Sequence, residues 1–327
     1  MMNTKSEILK ILRTSKAYVS GQSLCEQLHV SRTAVWKAIN QLKEEGYAIQ
    51  AVNNKGYCME TCPDVMNETE IQSILPKETL FTNICYYDSV GSTNDEVKMM
   101  AEQGAPEGTV VIADRQTAGK GRRGRQWTSV SGENIYMSFL LRPSFEPEKA
   151  SMVTLVCAMA VREAIEKQGL SPVIKWPNDI ILNGKKTCGI LTEMSTQMEC
   201  INYIVPGIGV NVHQTEFPDE IRNVATSLSL EKQGMYRRGQ IAADILVAFE
   251  KYYGLFTQTG DLSLLKDAYH KYLANMDREI RLLDTNGTRT GIARGIDDQG
   301  CLIAEIDGRT EHIMSGEVSV RGILGYV

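Results

Sequence analysis

The chain has 327 residues, 43% hydrophobic and 23% charged, with 27 Gly and 9 Pro; it is long for one domain, and its composition excludes collagen-like, low-complexity and wholly disordered chains. The net charge of −5 argues against nonspecific coating of nucleic acid, but the charge is unevenly placed. Residues 1–62 hold eight Lys/Arg against five acids, a surplus of three on a remainder of −8, which is compatible with DNA binding by a small basic module alone.

In chain order, residues 6–45 read as three short helices. Ile8, Leu9 and Leu12 mark the first, and Leu24 and Leu28 the second after a Ser20-Gly21 start. Ser31 caps the third, where Val35, Ala38, Ile39 and Leu42 recur at i, i+3, i+4, i+7. Ile49–Met59 reads as a hairpin with Asn53-Asn54-Lys55-Gly56 at its tip, and Cys62-Pro63-Asp64 as a boundary. A long middle part then alternates helices (93–103, 151–168, 239–253, 261–273) with strands (Thr109–Asp114, Asn134–Leu141, Val173–Trp176, Cys188–Glu193, Ile201–Val212). Asn183-Gly184 turns a hairpin between Ile180–Leu182 and Lys185–Cys188. That interleaving predicts an α+β protein with a central mixed sheet covered by helices. In the last fifty residues, short strands at about ten-residue spacing are separated by Asp284-Thr285-Asn286-Gly287, Asp297-Asp298-Gln299-Gly300 and Asp307-Gly308, the pattern of a small β-barrel. The expected domains are 1–64 (helix–turn–helix about 21–40), 65–274 and 275–327, with no internal repeat.

The third helix leaves Arg32, Thr33, Trp36, Lys37 and Asn40 on its open face, where they can reach phosphates or base edges in a major groove. Lys55 at the hairpin tip suits a wing on the DNA backbone. A three-helix protein-interaction module is the alternative; basic residues without an acidic counterface, and the wing, favour DNA.

The segment Gln116-Thr117-Ala118-Gly119-Lys120-Gly121-Arg122-Arg123-Gly124-Arg125 contains a literal G-x-G-x-x-G. It does not open a helix, because Gln126-Trp127 onward heads into a strand, so the dinucleotide fingerprint is rejected. Its cations and glycines describe a mobile, positively charged loop able to close over an anion, or a solvated basic surface loop. Ser92-Thr93-Asn94 stands at a helix start, where plain capping competes with ligand binding. Lys175-Trp176-Pro177-Asn178-Asp179 precedes Lys186-Thr187-Cys188-Gly189-Ile190-Leu191, with Lys186 ahead of a glycine where backbone can approach a ligand closely. There is no nucleophile–base motif. The chemistry expected is charge stabilisation by cations and amides, which suits nucleotidyl transfer. The eight Cys are scattered and the four His lie far apart. No metal site is expected from a protein cluster, and reduced thiols point to a cytoplasmic protein. No signal peptide or bilayer-spanning run is present, so no membrane partner is expected.

Together, the helix–turn–helix, the basic loop, the KWPND stretch and K-x-x-G-I-L resemble the bacterial bifunctional biotin–protein ligases that also repress the biotin operon, over nearly the whole chain. The resemblance implies a winged helix, a ligase body of the class II aminoacyl-tRNA-synthetase-like biotin/lipoate type, and an SH3-like C-terminal barrel. It implies joining of biotin to ATP as biotinyl-5′-adenylate, transfer to a lysine of the biotin carboxyl carrier domain of acetyl-CoA carboxylase or a related carboxylase, and operator binding by an adenylate-loaded homodimer. Carried over by motif, Ser92, Thr93, Asn94 and Gln116 would contact the biotin head. Lys120, Gly121 and Arg122 would close over the adenylate, with Gly189 in the binding set. Lys186 and Arg122 would be catalytic, Lys186 facing the carboxylate and α-phosphate. Asn178 would face the nucleotide or its Mg²⁺, and Arg321 would reach the nucleotide from the C-terminal barrel. The better-known form of the family loop has Arg where Lys120 stands, so Arg122 carries more weight. The segment 214–236 has no firm pattern beyond Ala225-Thr226-Ser227-Leu228. The rival functions are a lipoate-type ligase and a ligand-sensing regulator without catalysis.

Overall fold

The computed structural model describes residues 4–15, 17–198, 200–284, 287–315 and 319–322. The head comprises α1 (Thr4–Thr14), α2 (Gly21–Leu28), α3 (Arg32–Glu44) and the hairpin β1 (Ala48–Val52)–β2 (Gly56–Thr61). Ser20 caps α2 by accepting from the Ser23 amide, and Ser31 caps α3 by accepting from the Ala34 amide. The apolar faces meet in a core of Ile8, Leu9, Leu12, Leu24, Val35, Ile39, Leu42, Tyr47 and Ile49. Val19 bridges Tyr57 in both directions at 2.8 Å, fixing the wing to the α1–α2 connection. Gly56 makes this approach feasible: its φ is +106°, and a Cβ there would lie 2.1 Å from the Val19 carbonyl.

Beyond the boundary, α4 (Glu68–Ile74), capped by Asn67, docks the head onto the body. The buried Glu70 carboxylate accepts from Arg13 Nη2 at 2.6 Å and from the Tyr47 hydroxyl at 2.5 Å, while Lys10 Nζ reaches the Leu75 carbonyl at 2.6 Å. The body is a seven-stranded mixed sheet. Its strands are β3 (Asn83–Val90), β4 (Thr109–Gln116), β5 (Asn134–Phe139), β6 (Val173–Lys175), β7 (Asp179–Leu182), β8 (Lys185–Gln197) and β9 (Cys200–Asn211), in the order β3-β4-β5-β9-β8-β7-β6. Only the β3–β4 pair is parallel among the described residues, as expected for strands joined through a helix, here α5 (Thr93–Glu102).

Alternation sends the two sets of side chains to different helices. Val110, Ile112, Ile208 and Val210 pack with the apolar α6 (Ala150–Glu166) and α8 (Arg238–Thr259), while Val111 and Val205 pack with Val97 and Ala101 of α5. Phe139 stands edge-on to Phe81 and Phe249, at centroid distances of 5.3 and 4.7 Å, and so pins α8 to the sheet. The short helix α7 (Leu228–Glu231) and α9 (Lys266–Tyr272) complete the body. The helix expected over 261–273 begins only at Lys266. Asp261 takes the amide and hydroxyl of Ser263 into a local turn that competes with helix.

The C-terminal module is an antiparallel sheet of β10 (Glu279–Asp284), β11 (Gly287–Ile296), β12 (Leu302–Ile306), β13 (Arg309–Ile313) and β14 (Ser319–Gly322), in the order β13-β12-β11-β10-β14. Among the described residues no pairing joins β13 to β14, so the layer carries two edges where closure was expected. Its Ala293 and Leu302 belong to the body's core, and the Trp176 indole donates to the Gly300 carbonyl at 3.0 Å. Among the described residues, no helix is long and apolar enough to cross a membrane.

Candidate functional site

The face of the sheet that carries α5 is floored by glycine. Gly189 of β8 pairs with Gly209 of β9, and Leu191 pairs with Gly207. Each glycine is approached by a side chain that a Cβ would displace. Asn94 Oδ1 would lie 2.0 Å from a Cβ at Gly207, and the Trp127 ring would lie 2.7 Å from one at either Gly189 or Gly209.

Above this floor, one chamber gathers Ser92, Thr93, Asn94, Gln116, Lys120, Gly121, Arg122, Asn178, Lys186 and Gly189. Thus ten of the eleven residues expected to bind ligand line one place. Ser92 is the N-cap of α5, but its hydroxyl makes no cap bond, so plain capping does not account for this triplet. Instead the Thr93 amide and hydroxyl both reach Gln116 Oε1, at 2.8 and 3.1 Å, and Ser138 Oγ lies 2.7 Å from Thr93 Oγ1 and 2.6 Å from Asn94 Oδ1. The Asn94 amide donates to Glu193 Oε2 at 2.7 Å. These buried polar groups fix one another's orientation.

The basic loop is folded back on itself. The Trp127 amide donates to the Gly119 carbonyl at 2.9 Å, the Gly121 amide to the Arg125 carbonyl at 2.7 Å, and Arg123 (φ 58°) and Gly124 (φ 71°) make the turn. Lys120 turns to Asp95 of α5 at 2.7 Å, whereas Arg122 points inward. Its Nη1 donates to Asn178 Oδ1 at 2.9 Å, and its Nη2 reaches the Ser315 carbonyl of the C-terminal module. Burial lowers the Arg122 pKa, with Asp179 opposing that shift and Arg123 and Arg125 adding to it; a guanidinium stays charged there. Lys186 Nζ lies 2.5 Å from Asp179 Oδ1 and 5.4 Å from the centre of the Trp127 ring.

A cavity of about 460 Å³ adjoins this chamber, lined by Arg122, Arg125, Lys175, Asn178, Lys186 and Phe217 among others. Its far wall comes from the segment that showed no firm sequence pattern. The Lys186 amide donates to the Val224 carbonyl at 2.7 Å and the Thr226 amide to the Lys186 carbonyl at 2.9 Å, which carries Ile221, Val224 and Ala225 to the rim. Arg321 lies on β14, opposite Arg281; its side chain is outside the described residues, as are Gly316, Glu317 and Val318, while Val320 lines the cavity. Sequence reasoning missed Trp127, Gly207, Gly209 and Ser138. Among the described residues, no group of three or more His, Cys, Asp or Glu could hold a metal.

The head presents a separate surface. Arg32, Thr33, Trp36 and Lys37 are exposed on α3, Trp36 at 57%, with Asn40 half-buried. Arg32 Nη2 donates to Gln22 Oε1 of α2 at 2.9 Å, and Lys55 stands exposed at the wing tip, 5.9 Å from the centre of the Tyr18 ring.

A winged helix fixed to a cation-lined, glycine-floored cleft beside a nucleotide-sized cavity defines a DNA-binding head on an anion-handling ligand domain. Three family models match in the same order: HTH domain at residues 4–58, Biotin/lipoate A/B protein ligase family at 86–211, and Biotin protein ligase C terminal domain at 276–321. The chain is 40% identical over 306 residues to the bifunctional ligase/repressor BirA of Bacillus subtilis (93% of this chain, 94% of that one). It is 31% identical over 321 residues to the bifunctional ligase/repressor BirA of Escherichia coli K12 (98% of each). A biotin protein ligase from Aquifex aeolicus, solved in complex with biotin and ATP, matches with a TM-score of 0.65 at 30% identity, covering 74% of this chain and 100% of that one. The chain belongs to the family of bifunctional biotin–protein ligase/repressors.

Proposed function

We propose that this chain condenses biotin with ATP to biotinyl-5′-adenylate and pyrophosphate, then transfers biotin to a lysine of a biotin carboxyl carrier domain. The adenylate-loaded form dimerises and represses biotin genes through the winged helix, in the cytoplasm. The observation that carries this reading is the convergence of Gln116 and Arg122 with Asn178 and Lys186, from two distant stretches of sequence, on one chamber beside a larger cavity.

In the first step the biotin carboxylate attacks the α-phosphorus of ATP, a P–O bond forms, and pyrophosphate leaves. Two anions must approach, so the step needs fixed positive charge more than it needs a base. Lys186 supplies it: its ammonium sits on the chamber wall, paired with Asp179, and turns to the carboxylate and α-phosphate. Arg122 adds a second cation and, through Asn178 and Ser315, draws the loop over the product and excludes water. Thr93, Asn94 and Gln116 give biotin's polar head a mutually oriented set of donors and acceptors, and Lys120 and Gly121 carry the closing loop. In the second step the neutral amine of the carrier lysine attacks the acyl carbon, an amide forms, AMP leaves, and the amine loses a proton.

Bound together with the ATP phosphates, Mg²⁺ would neutralise charge on them. Asn178 and Asp179 would supply the protein oxygens toward such a hard cation; here Asn178 Oδ1 accepts from Arg122 and Asp179 pairs with Lys186. Mass spectrometry of the chain with biotin, MgATP and a carrier domain tests the reading. One biotinyl group on the carrier is expected; no gain, or an equal gain from lipoate, overturns it.

A further inference from the structure

The chain passes from head to body at Asp64, and this residue is tied to the start of α8. Arg238 donates from its backbone amide to Asp64 Oδ1 at 2.6 Å and from Nε to Oδ2 at 2.8 Å. The same guanidinium places Nη1 3.3 Å from Asp114 Oδ1. Asp114 in turn accepts from the Gly132 amide at 3.0 Å and from the Ser131 hydroxyl, where the basic loop rejoins the sheet. Arg238 is only 7% exposed and lies outside the linings of both the chamber and the cavity. Two further contacts lock the linker. His213 Nε2 meets Asp64 Oδ2 at 3.2 Å, and the Val65 carbonyl occupies the space beside Gly239, 2.5 Å from where a Cβ would stand.

A buried guanidinium between two carboxylates is an all-or-none arrangement. Without it, two partly exposed carboxylates face each other with no cation between them, and the segments they hold lose a shared anchor. Asp64 belongs to the head's linker, and Asp114, on β4, holds the return of the basic loop through Ser131 and Gly132. We propose that Arg238 is a positioning residue that fastens both to the same helix start, so that loosening the head's attachment loosens the loop over the ligand cleft. The link to catalysis rests on the ligase reading above, in which this loop encloses the adenylate; the mechanical link does not.

Trypsin separates the two. Under native conditions it cuts at Lys120, Arg122, Arg123 and Arg125 in proportion to how often the loop opens. Asp64→Asn, nearly isosteric and remote from the loop, should raise the nicking rate of the full chain without ligand by about tenfold, the scale of one lost charge-assisted hydrogen bond. Arg238→Met should do at least as much, and Asp64→Asn added to it should change nothing further. Arg238→Lys, which keeps the charge without the fork, should fall between. If Arg238→Met fails to fold, the Lys variant serves in the cycle. Wild-type nicking in folded Asp64→Asn, or strictly additive effects, overturns the proposal. Pyrophosphate release is the second readout: the Asp64→Asn chain should show a raised KM for biotin with kcat retained, and an unchanged KM overturns the link to the cleft. A wild-type chain that releases no pyrophosphate with biotin and ATP would sink the ligase reading and leave the trypsin result standing.

Discussion

The head and the cleft reach their functional surfaces by opposite routes. The reading surface of the head comes from one helix of 13 residues with a wing behind it, and its outward side chains bear on no core. The cleft is assembled from the α5 start, the basic loop, the Asn178 turn and two long strands, and Thr93, Asn94, Gln116, Arg122, Asn178 and Lys186 are each held by another polar group. A surface built locally should lose function one contact at a time, with stability intact. A surface built from remote parts should lose function and order together. Substitutions in the two regions can break that contrast.

The largest expected effect is in the cleft. Lys186→Ala removes the cation proposed to face the forming acyl phosphate, together with its ion pair to Asp179; pyrophosphate release should slow by roughly 10²-fold or more. A folded variant with near-normal release would remove Lys186 from the chemistry. Next is Gly207→Ala, whose methyl would stand 2.0 Å from Asn94 Oδ1. Moving Asn94 disturbs its bond to Glu193 and its contact with Ser138, so stability should fall by about 1–3 kcal/mol together with biotin binding. Calorimetry that finds one loss without the other would contradict the account of a mutually held cleft. In the head, Trp36→Ala or Lys37→Ala should weaken operator binding by about tenfold. Each should leave stability within about 0.5 kcal/mol and biotinylation unchanged, since both side chains are exposed. A melting temperature that drops with operator affinity would mean the head is not the simpler surface.

The smallest effect lies at the seam between the two regions. Burial works to raise the Asp64 pKa, but hydrogen bonds from His213 and Arg238 and the charge of Arg238 hold it below 3.8. A depressed carboxylate stabilises the fold above its unfolded pKa, and that contribution is lost as pH falls through the lower folded value. Urea midpoints of wild type and Asp64→Asn should therefore differ at neutral pH and converge in acid below about pH 3.8. Parallel curves would mean that Asp64 is not the titrating group.

The same contrast explains what could be read from sequence. The three head helices, both Ser caps and the Asn183-Gly184 turn are local patterns, and each lies where the sequence placed it. Strand β3 and helix α4 were missed, since NICYYDSV breaks alternation with half-buried positions and ETEIQSI is only seven residues long. In the cleft, charged and capping residues were visible because their types are unusual in those settings. Trp127, Gly207 and Gly209 were not, because their meaning depends on strand register. The spacing Gly207-Ile208-Gly209 was a usable signal, since alternate glycines on one strand leave one face bare. Nothing local says that Gly189 is their neighbour across the ladder, or that an indole lies on them.

Glu70, buried between Arg13 and Tyr47, seats the head on the body instead of leaving it on a tether. In a two-fold pair of such chains, the distance and rotation between the two reading helices are then dictated by the bodies, like the jaws of a caliper. Such a caliper accepts operator half-sites at one helical phase. Five base pairs inserted between them, about half a turn of duplex, would carry one half-site to the far side of the DNA, out of the second jaw's reach.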